Sequence, residues 1–280
     1  MQNKMKKIFL VTLLYLSGSI LNAQNLHFTV FGGVSNYQGE LQPKRFTFQQ
    51  AYASGGLGIL YELNDKLYLR GNVTFGKIGG SDNKHLLNQD RNLSFTSPIV
   101  DIHLGIEYDI LNLYDKSITP FVFGGVSIFN FNPSTIDSVG KKTYLQPLGT
   151  EGQGFYLNRT KYNLSQLAIP LGGGIKLALS ENVRVRFEIG LRKTFTDYLD
   201  DVSSTYADQN LLLINNGQRS VDLAFRGDEL KSSATNYPSA GTQRGNVKTK
   251  DWYYFTGLGI SFRLTPKFNT GKTGCPVNIY

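Results

Sequence analysis

The feature that most constrains this chain is a run of ten residues, Val183, Arg184, Val185, Arg186, Phe187, Glu188, Ile189, Gly190, Leu191 and Arg192, that alternates between apolar side chains and charged or small ones. Successive side chains of a strand point to opposite faces, so the run has one oily face and one carrying three arginines and a glutamate. One such strand would suit a soluble sandwich. The pattern recurs about eight times at strand-plus-turn spacing, behind a secretory leader, and together these predict a transmembrane β-barrel.

The eight predicted strands are 26–35, 51–63, 67–75, a stretch ending at 110, 120–129, 166–179, 183–192 and 252–264. In the fourth, Ile102, Leu104, Ile106, Tyr108 and Ile110 oppose Asp101, His103, Gly105, Glu107 and Asp109. An even number of antiparallel strands closes without an edge, giving an all-β fold: an eight-stranded antiparallel barrel. The connections alternate in length. Those at 64–66, 111–117 and 180–182 are short, and those at 36–50, 79–92, 132–163 and 197–251 are long. Outer-membrane barrels keep short turns in the periplasm and long loops outside, so both termini are expected to be periplasmic. A short helix is expected at 220–225.

Lys4, Lys6 and Lys7 ahead of the apolar run 8–21, with a small-residue exit at Ala23, have the layout of a cleaved signal peptide. The expected organisation is a leader at 1–23, a barrel at 24–264 and a periplasmic tail at 265–280, located in the cell outer membrane. Loss of the leader removes three lysines and no acids, so the net charge falls from +8 to +5. That excess is spread along the chain and does not point to nucleic acid. Cys275, the sole cysteine, has no partner for an internal disulfide.

A barrel of eight strands is wide enough only to be filled by side chains. Arg70, Arg184, Arg186, Arg192 and Arg263 are predicted to face inward and neutralise Glu62, Asp101, Glu107, Asp109 and Glu188, since buried charges persist when paired. The network is expected to be structural.

No catalytic, cofactor or metal site is expected. Gly271, Lys272 and Thr273 resemble the end of a phosphate-binding loop, but Pro266 stands where its glycine belongs. The glycines at 172–174 lie inside a strand and read as small residues facing a crowded lumen. His27, His85 and His103 sit on separate elements without zinc spacing. His27 and Ser35 face the same way but lie roughly 26 Å apart at strand rise, too far for catalysis. Asp197, Asp200, Asp201 and Asp208 lack the spacing of a calcium loop. They are expected on a solvated face or paired with Arg192 and Lys193.

Several segments carry a family resemblance. They are Asn36-Tyr37-Gln38-Gly39-Glu40-Leu41, the stretch from Pro120-Phe121-Val122-Phe123-Gly124-Gly125-Val126 to Phe131-Asn132-Pro133, Arg192-Lys193-Thr194-Phe195-Thr196-Asp197-Tyr198-Leu199-Asp200-Asp201-Val202-Ser203, Arg244-Gly245-Asn246, and Asp251-Trp252-Tyr253-Tyr254-Phe255-Thr256-Gly257. Together they resemble the small outer-membrane barrels related to PorG of the type IX secretion system. The resemblance implies a non-enzymatic scaffold that holds a periplasmic ring of PorK/PorN type against the membrane. On that reading Asn64, Asp65, Asp115, Lys116, Lys267 and Tyr280 are the expected partner-binding positions. The two large outer loops depart from shorter relatives and leave open a surface role, in which they bind an extracellular polymer, a surface protein or a neighbouring barrel.

Overall fold

The computed structural model describes residues 25–44, 47, 49–84, 88–230 and 236–264. The expected leader at 1–23, the tail with Lys267, Tyr280, Cys275 and the stretch 271–273, and His85 lie outside the described residues.

The strands are β1 (Leu26–Gln38), β2 (Tyr52–Asn64), β3 (Leu67–Ser81), β4 (Ser94–Asp109), β5 (Ile118–Phe131), β6 (Ser134–Ile136), β7 (Lys142–Tyr144), β8 (Ser165–Ala178), β9 (Val183–Thr194) and β10 (Trp252–Arg263). The eight long ones pair antiparallel with their neighbours in the order β3-β2-β1-β10-β9-β8-β5-β4, and β3 pairs with β4 to close the ring. Thr29 lies opposite Gly58 on one side and Ser261 on the other, so first and last strands are fully laddered. Closure leaves no free sheet edge among the eight long strands, the condition for crossing a bilayer with strands. No helix among the described residues is long and apolar enough to cross a membrane.

The barrel is inside out relative to a soluble protein. Arg70, Asp101 and Glu107 are buried, whereas Leu104 is 57% exposed and Val126 62%. Leaving a side chain of that size in water forgoes about 1.5–3 kcal/mol. The belt of Leu57, Ile102, Leu104, Ile106, Val122, Val126, Ile128, Leu171, Ile175 and Leu258 is therefore a surface made for acyl chains.

At one end of the barrel are the connections 65–66, 110–117 and 179–182, together with the first and last described residues, where Leu264 donates to the Leu26 carbonyl. At the other end the strands run further than the sequence pattern predicts: β1 continues to Gln38, β3 to Ser81, and β4 begins at Ser94. The alternation that marks a half-lipid, half-lumen strand is lost there because both faces pack against protein.

The long connections are not bare loops. The hairpin β6–β7 extends the sheet beside β4 through Thr96 and Ser134. Helices α1 (Gln209–Asn216) and α2 (Gln218–Ala224) follow in the last long connection, where Asn216 and Ser220 both donate to the Leu148 carbonyl. Asp208 starts α1 by accepting from the Leu211 N–H at 2.9 Å, satisfying one of the open donors of its first turn. Aromatic and aliphatic residues from the barrel mouth and the loops, including Tyr37, Phe95, Phe131, Tyr162, Leu199, Val202, Leu223 and Tyr253, form one buried cluster. The loop end is a folded cap whose core is continuous with the lumen.

Candidate functional site

Inward positions of neighbouring strands converge on a charge network at mid-barrel. Arg70 from β3 reaches Glu107 of β4 at 3.0 Å and Glu188 of β9, across the lumen, at 2.8 Å. Arg186 lies 2.7 Å from the same Glu107 oxygen, and Lys176 from β8 bridges Glu107 and Asp109 at 2.6 Å each. The Arg70 guanidinium also rests 4.1 Å above the centre of the Phe123 ring. A Cβ on Gly172 would come within 2.5 Å of that ring, so the glycine makes room for it. Toward the cap, Arg192 pairs with Asp101 at 3.3 Å, and Tyr253 donates to Asp101 at 2.7 Å.

A second cluster fills the turn end. Arg263 pairs with Glu62 at 3.0 Å, His27 lies 3.3 Å from the same carboxylate, and Arg184 donates to the Tyr68 hydroxyl at 3.0 Å. Tyr114 joins them from the connection 110–117: its hydroxyl donates to Glu62 at 2.7 Å and accepts from Arg263, while Leu113 beside it is buried. The connection thus folds back into the lumen and stoppers it. By its length alone, 111–117 reads as a short connection. Its signal was an apolar Leu113-Tyr114 pair inside a polar stretch.

The lumen therefore holds Arg70, Asp101, Glu107, Arg184, Arg186, Glu188 and Arg263 together with Glu62, Asp109 and Arg192, and adds Lys176, Tyr68, Tyr114 and Tyr253. Asn64, Asp65, Asp115 and Lys116 lie exposed at the turn end. Asp65 accepts from Asn112 at 3.4 Å, and Lys66 donates to the Ile110 carbonyl, so the two connections form one small surface.

The cap is built on a different polar skeleton. Glu151 is fully buried and accepts from Arg244 at 2.9 Å, from the Ser203 and Ser204 N–H groups at 2.9 Å each and from the Ser204 hydroxyl at 2.6 Å. Arg244 also donates to the carbonyls of Asp201 and Ala224. The expectation of solvated or arginine-paired aspartates fails at 197–201, while Asp208 is half-exposed and caps α1. Asp197, Asp200 and Asp201 are buried, and none pairs with Arg192 or Lys193. Asp201 accepts from Thr150 at 2.6 Å and Tyr162 at 2.7 Å; Asp200 accepts from Tyr37 at 2.6 Å and from the Val202 N–H. The three side-chain partners lie 39 to 163 positions away, so no local pattern announced them.

Burial pushes the Asp201 carboxyl up to about 6 and Asp200 up to about 7. Glu40, first through burial and then through Asp200 and Asp197, is pushed up to about 9, and Asp251 is raised by burial and by Asp200.

His103 of β4 and Ser127 of β5 are register partners inside the lumen. The His103 ring nitrogens and the Ser127 hydroxyl make no hydrogen bond to one another, so this pair is not an assembled nucleophile and base.

Closed register, paired lumen and apolar belt define a transmembrane β-barrel of the outer-membrane type. The chain belongs to the family DUF6089, a domain of unknown function, matched over residues 6–227. No curated protein matches it. Solved structures similar to it include Neisserial surface protein A (9% identity, 85% of this chain and 97% of that one covered, TM-score 0.43). Others are OprG from Pseudomonas aeruginosa (11%, 85% and 97%, 0.39) and Ail, the attachment invasion locus protein of Yersinia pestis (9%, 85% and 97%, 0.39).

Proposed function

We propose that this protein is a non-enzymatic outer-membrane scaffold that anchors a periplasmic assembly of the type IX secretion kind, its ring subunits of PorK/PorN type docking on the turn end. The observation that carries the reading is the sealed barrel: the Arg70–Glu107–Glu188 cluster fills its middle, Tyr114 its turn end and the cap its mouth. A filled barrel offers no conduit, so it acts through the surfaces it presents. The turn end presents Asn64, Asp65, Asp115 and Lys116 on short, hydrogen-bonded connections that lose little entropy on docking. Lys267 and Tyr280 belong to the same proposed docking set. The PorG-like segments support the choice of partner.

A second reading places the partner outside the cell, on the cap. Leu157, fully exposed, and Ile214, 78% exposed, favour it, being apolar side chains on an ordered surface away from the lipid belt.

Site-specific photocrosslinkers at Asp65 and Asp115, and separately at Leu157 and Ile214, divide the readings in living cells. Ring subunits captured from the turn end support the first. Capture from the cap alone sinks the first and supports the second.

A further inference from the structure

At the mouth of the barrel, where β1 leaves the lumen, β9 ends and β10 begins, four carboxylates come together. Glu40, Asp197 and Asp251 each offer one oxygen, and these oxygens lie within 4.8 Å of one another. Asp200 joins them through Tyr37, whose hydroxyl is 2.6 Å from Asp200 Oδ2 and 3.3 Å from Asp251 Oδ1. Asp197, Asp200 and Asp251 are at most 2% exposed. None of the four makes an ion pair among the described residues; Lys250 and Arg91 act on Asp197 and Asp200 only through space. Contrast Glu151 nearby, whose carboxylate is met by Arg244.

A second observation separates this group from an ordinary acidic patch. Asp197 donates nothing and receives only the Ser203 hydroxyl, on Oδ2 at 2.7 Å, while its Oδ1 is sealed from solvent without a partner. Glu40 repeats the arrangement: Oε1 accepts from the Asn246 N–H at 3.2 Å, and Oε2 is sealed and unpartnered. A buried carboxylate oxygen left without a donor is costly, and two of them beside two further carboxylates are more so. A cation among them satisfies both orphans and the repulsion at once.

We propose that Glu40, Asp197 and Asp251, backed by Asp200, form a calcium site that ties the β1–β2 connection to both ends of the β9–β10 connection. The donors are all oxygens, which selects a hard cation. Oxygens 2.3–2.6 Å from a calcium ion stand at most about 5 Å apart, so the observed spread accommodates it. Magnesium demands a near-octahedral shell and gives up its waters reluctantly, so it suits this irregular set of carboxylates less well. The half-exposed Glu40 leaves water a way in to complete the coordination.

The test uses the full mature chain folded in detergent, stripped with EDTA and titrated with CaCl2 by calorimetry. In parallel, terbium luminescence is read through tyrosine excitation, Tyr37 being in contact with two of the carboxylates. A single calcium ion per chain is expected, with Asp197→Asn and Glu40→Gln each weakening binding by about tenfold or more and magnesium competing poorly. Asp222→Asn, on the exposed face of α2, should bind as the parent does. Heat-modifiable migration reports that each variant's barrel is folded. Neither heat nor terbium emission from the folded parent overturns the site. So does unchanged binding by the Asp197→Asn/Glu40→Gln double variant, and magnesium binding as tight as calcium overturns the choice of ion. If the variants do not fold, the calcium and magnesium titrations of the parent decide alone.

Discussion

The lumen and the mouth of the cap bury carboxylates in opposite ways, although elsewhere in the cap Glu151 is met by Arg244. In the lumen each carboxylate meets a guanidinium or ammonium group, and Glu107 alone sits within 3.0 Å of Arg70, Arg186 and Lys176. In the cap, Asp200 and Asp201 are held by hydroxyls and backbone N–H groups, and Glu40 and Asp197 keep an oxygen with no donor. The difference follows from how each region is built. Strands deliver alternate side chains into one narrow space, where opposite charges from neighbouring strands must meet. Loops bring residues from far apart and can surround a carboxylate with whatever the path supplies. The lumen is neutralised by its own chain, whereas the mouth of the cap retains negative charge that a mobile cation or protons must balance.

The largest effect is expected from breaking the lumenal centre. Glu107→Leu leaves Arg70, Arg186 and Lys176 with only Glu188 and Asp109 between them, and losing one partner of a buried ion pair costs about 3–5 kcal/mol. Urea titration of the barrel in lipid vesicles, followed by heat-modifiable migration, measures it; a loss below about 1 kcal/mol, the worth of an exposed pair, would mean the lumen is wet.

Next comes the outer face at the same height. Leu104→Arg places a charge in the belt and should cost about 2–4 kcal/mol, as midplane charges on barrels do. Unchanged stability by the same titration would remove Leu104 from the membrane.

Tyr114→Phe tests the stopper at the turn end. Deleting a hydroxyl that bonds to Glu62 should cost about 1.5–3 kcal/mol, the range for hydrogen bonds to charged groups, with strand pairing intact by circular dichroism.

The smallest effect sharpens the contrast through pH. Asp201 and Asp200 are raised by burial to about 6 and about 7, so the folded cap binds protons more tightly than the unfolded chain. The stability this contributes is complete below the ordinary carboxylate range and is lost as pH rises through 6 to 7. With calcium chelated, protection of the cap amides, taken relative to their intrinsic exchange rate at each pH, should be lower at pH 8 than at pH 5, while that of the lumenal strands does not change. Added calcium should suppress the difference, because a cation holds carboxylates in their ionised form.

How far the sequence could be read follows the same division. Period-two alternation made the barrel strands visible, and with them the inward placement of Arg70, Glu107, Arg184, Arg186 and Glu188, because a strand's register decides which way each side chain points. Their actual pairings, such as Arg70 with Glu188 across the lumen, depend on closure and tilt, which no single strand encodes. The β6–β7 hairpin escaped because strands of three residues carry too little periodicity. Asp200 and Asp201 were misplaced on a solvated face because their side-chain partners, Tyr37, Thr150 and Tyr162, lie 39 to 163 positions away. Helix α2 was visible in outline at 220–225, and the structure begins it two residues earlier.

The sealed barrel is the central claim, and electrical recording across a planar bilayer tests it most directly. The purified, folded protein should insert without producing sustained conductance steps, in calcium or in EDTA, because Tyr114 and the Arg70 cluster occlude the lumen whether or not the cap is clamped. Long-lived, uniform conductance steps from the folded protein would contradict it and make the lumen a path.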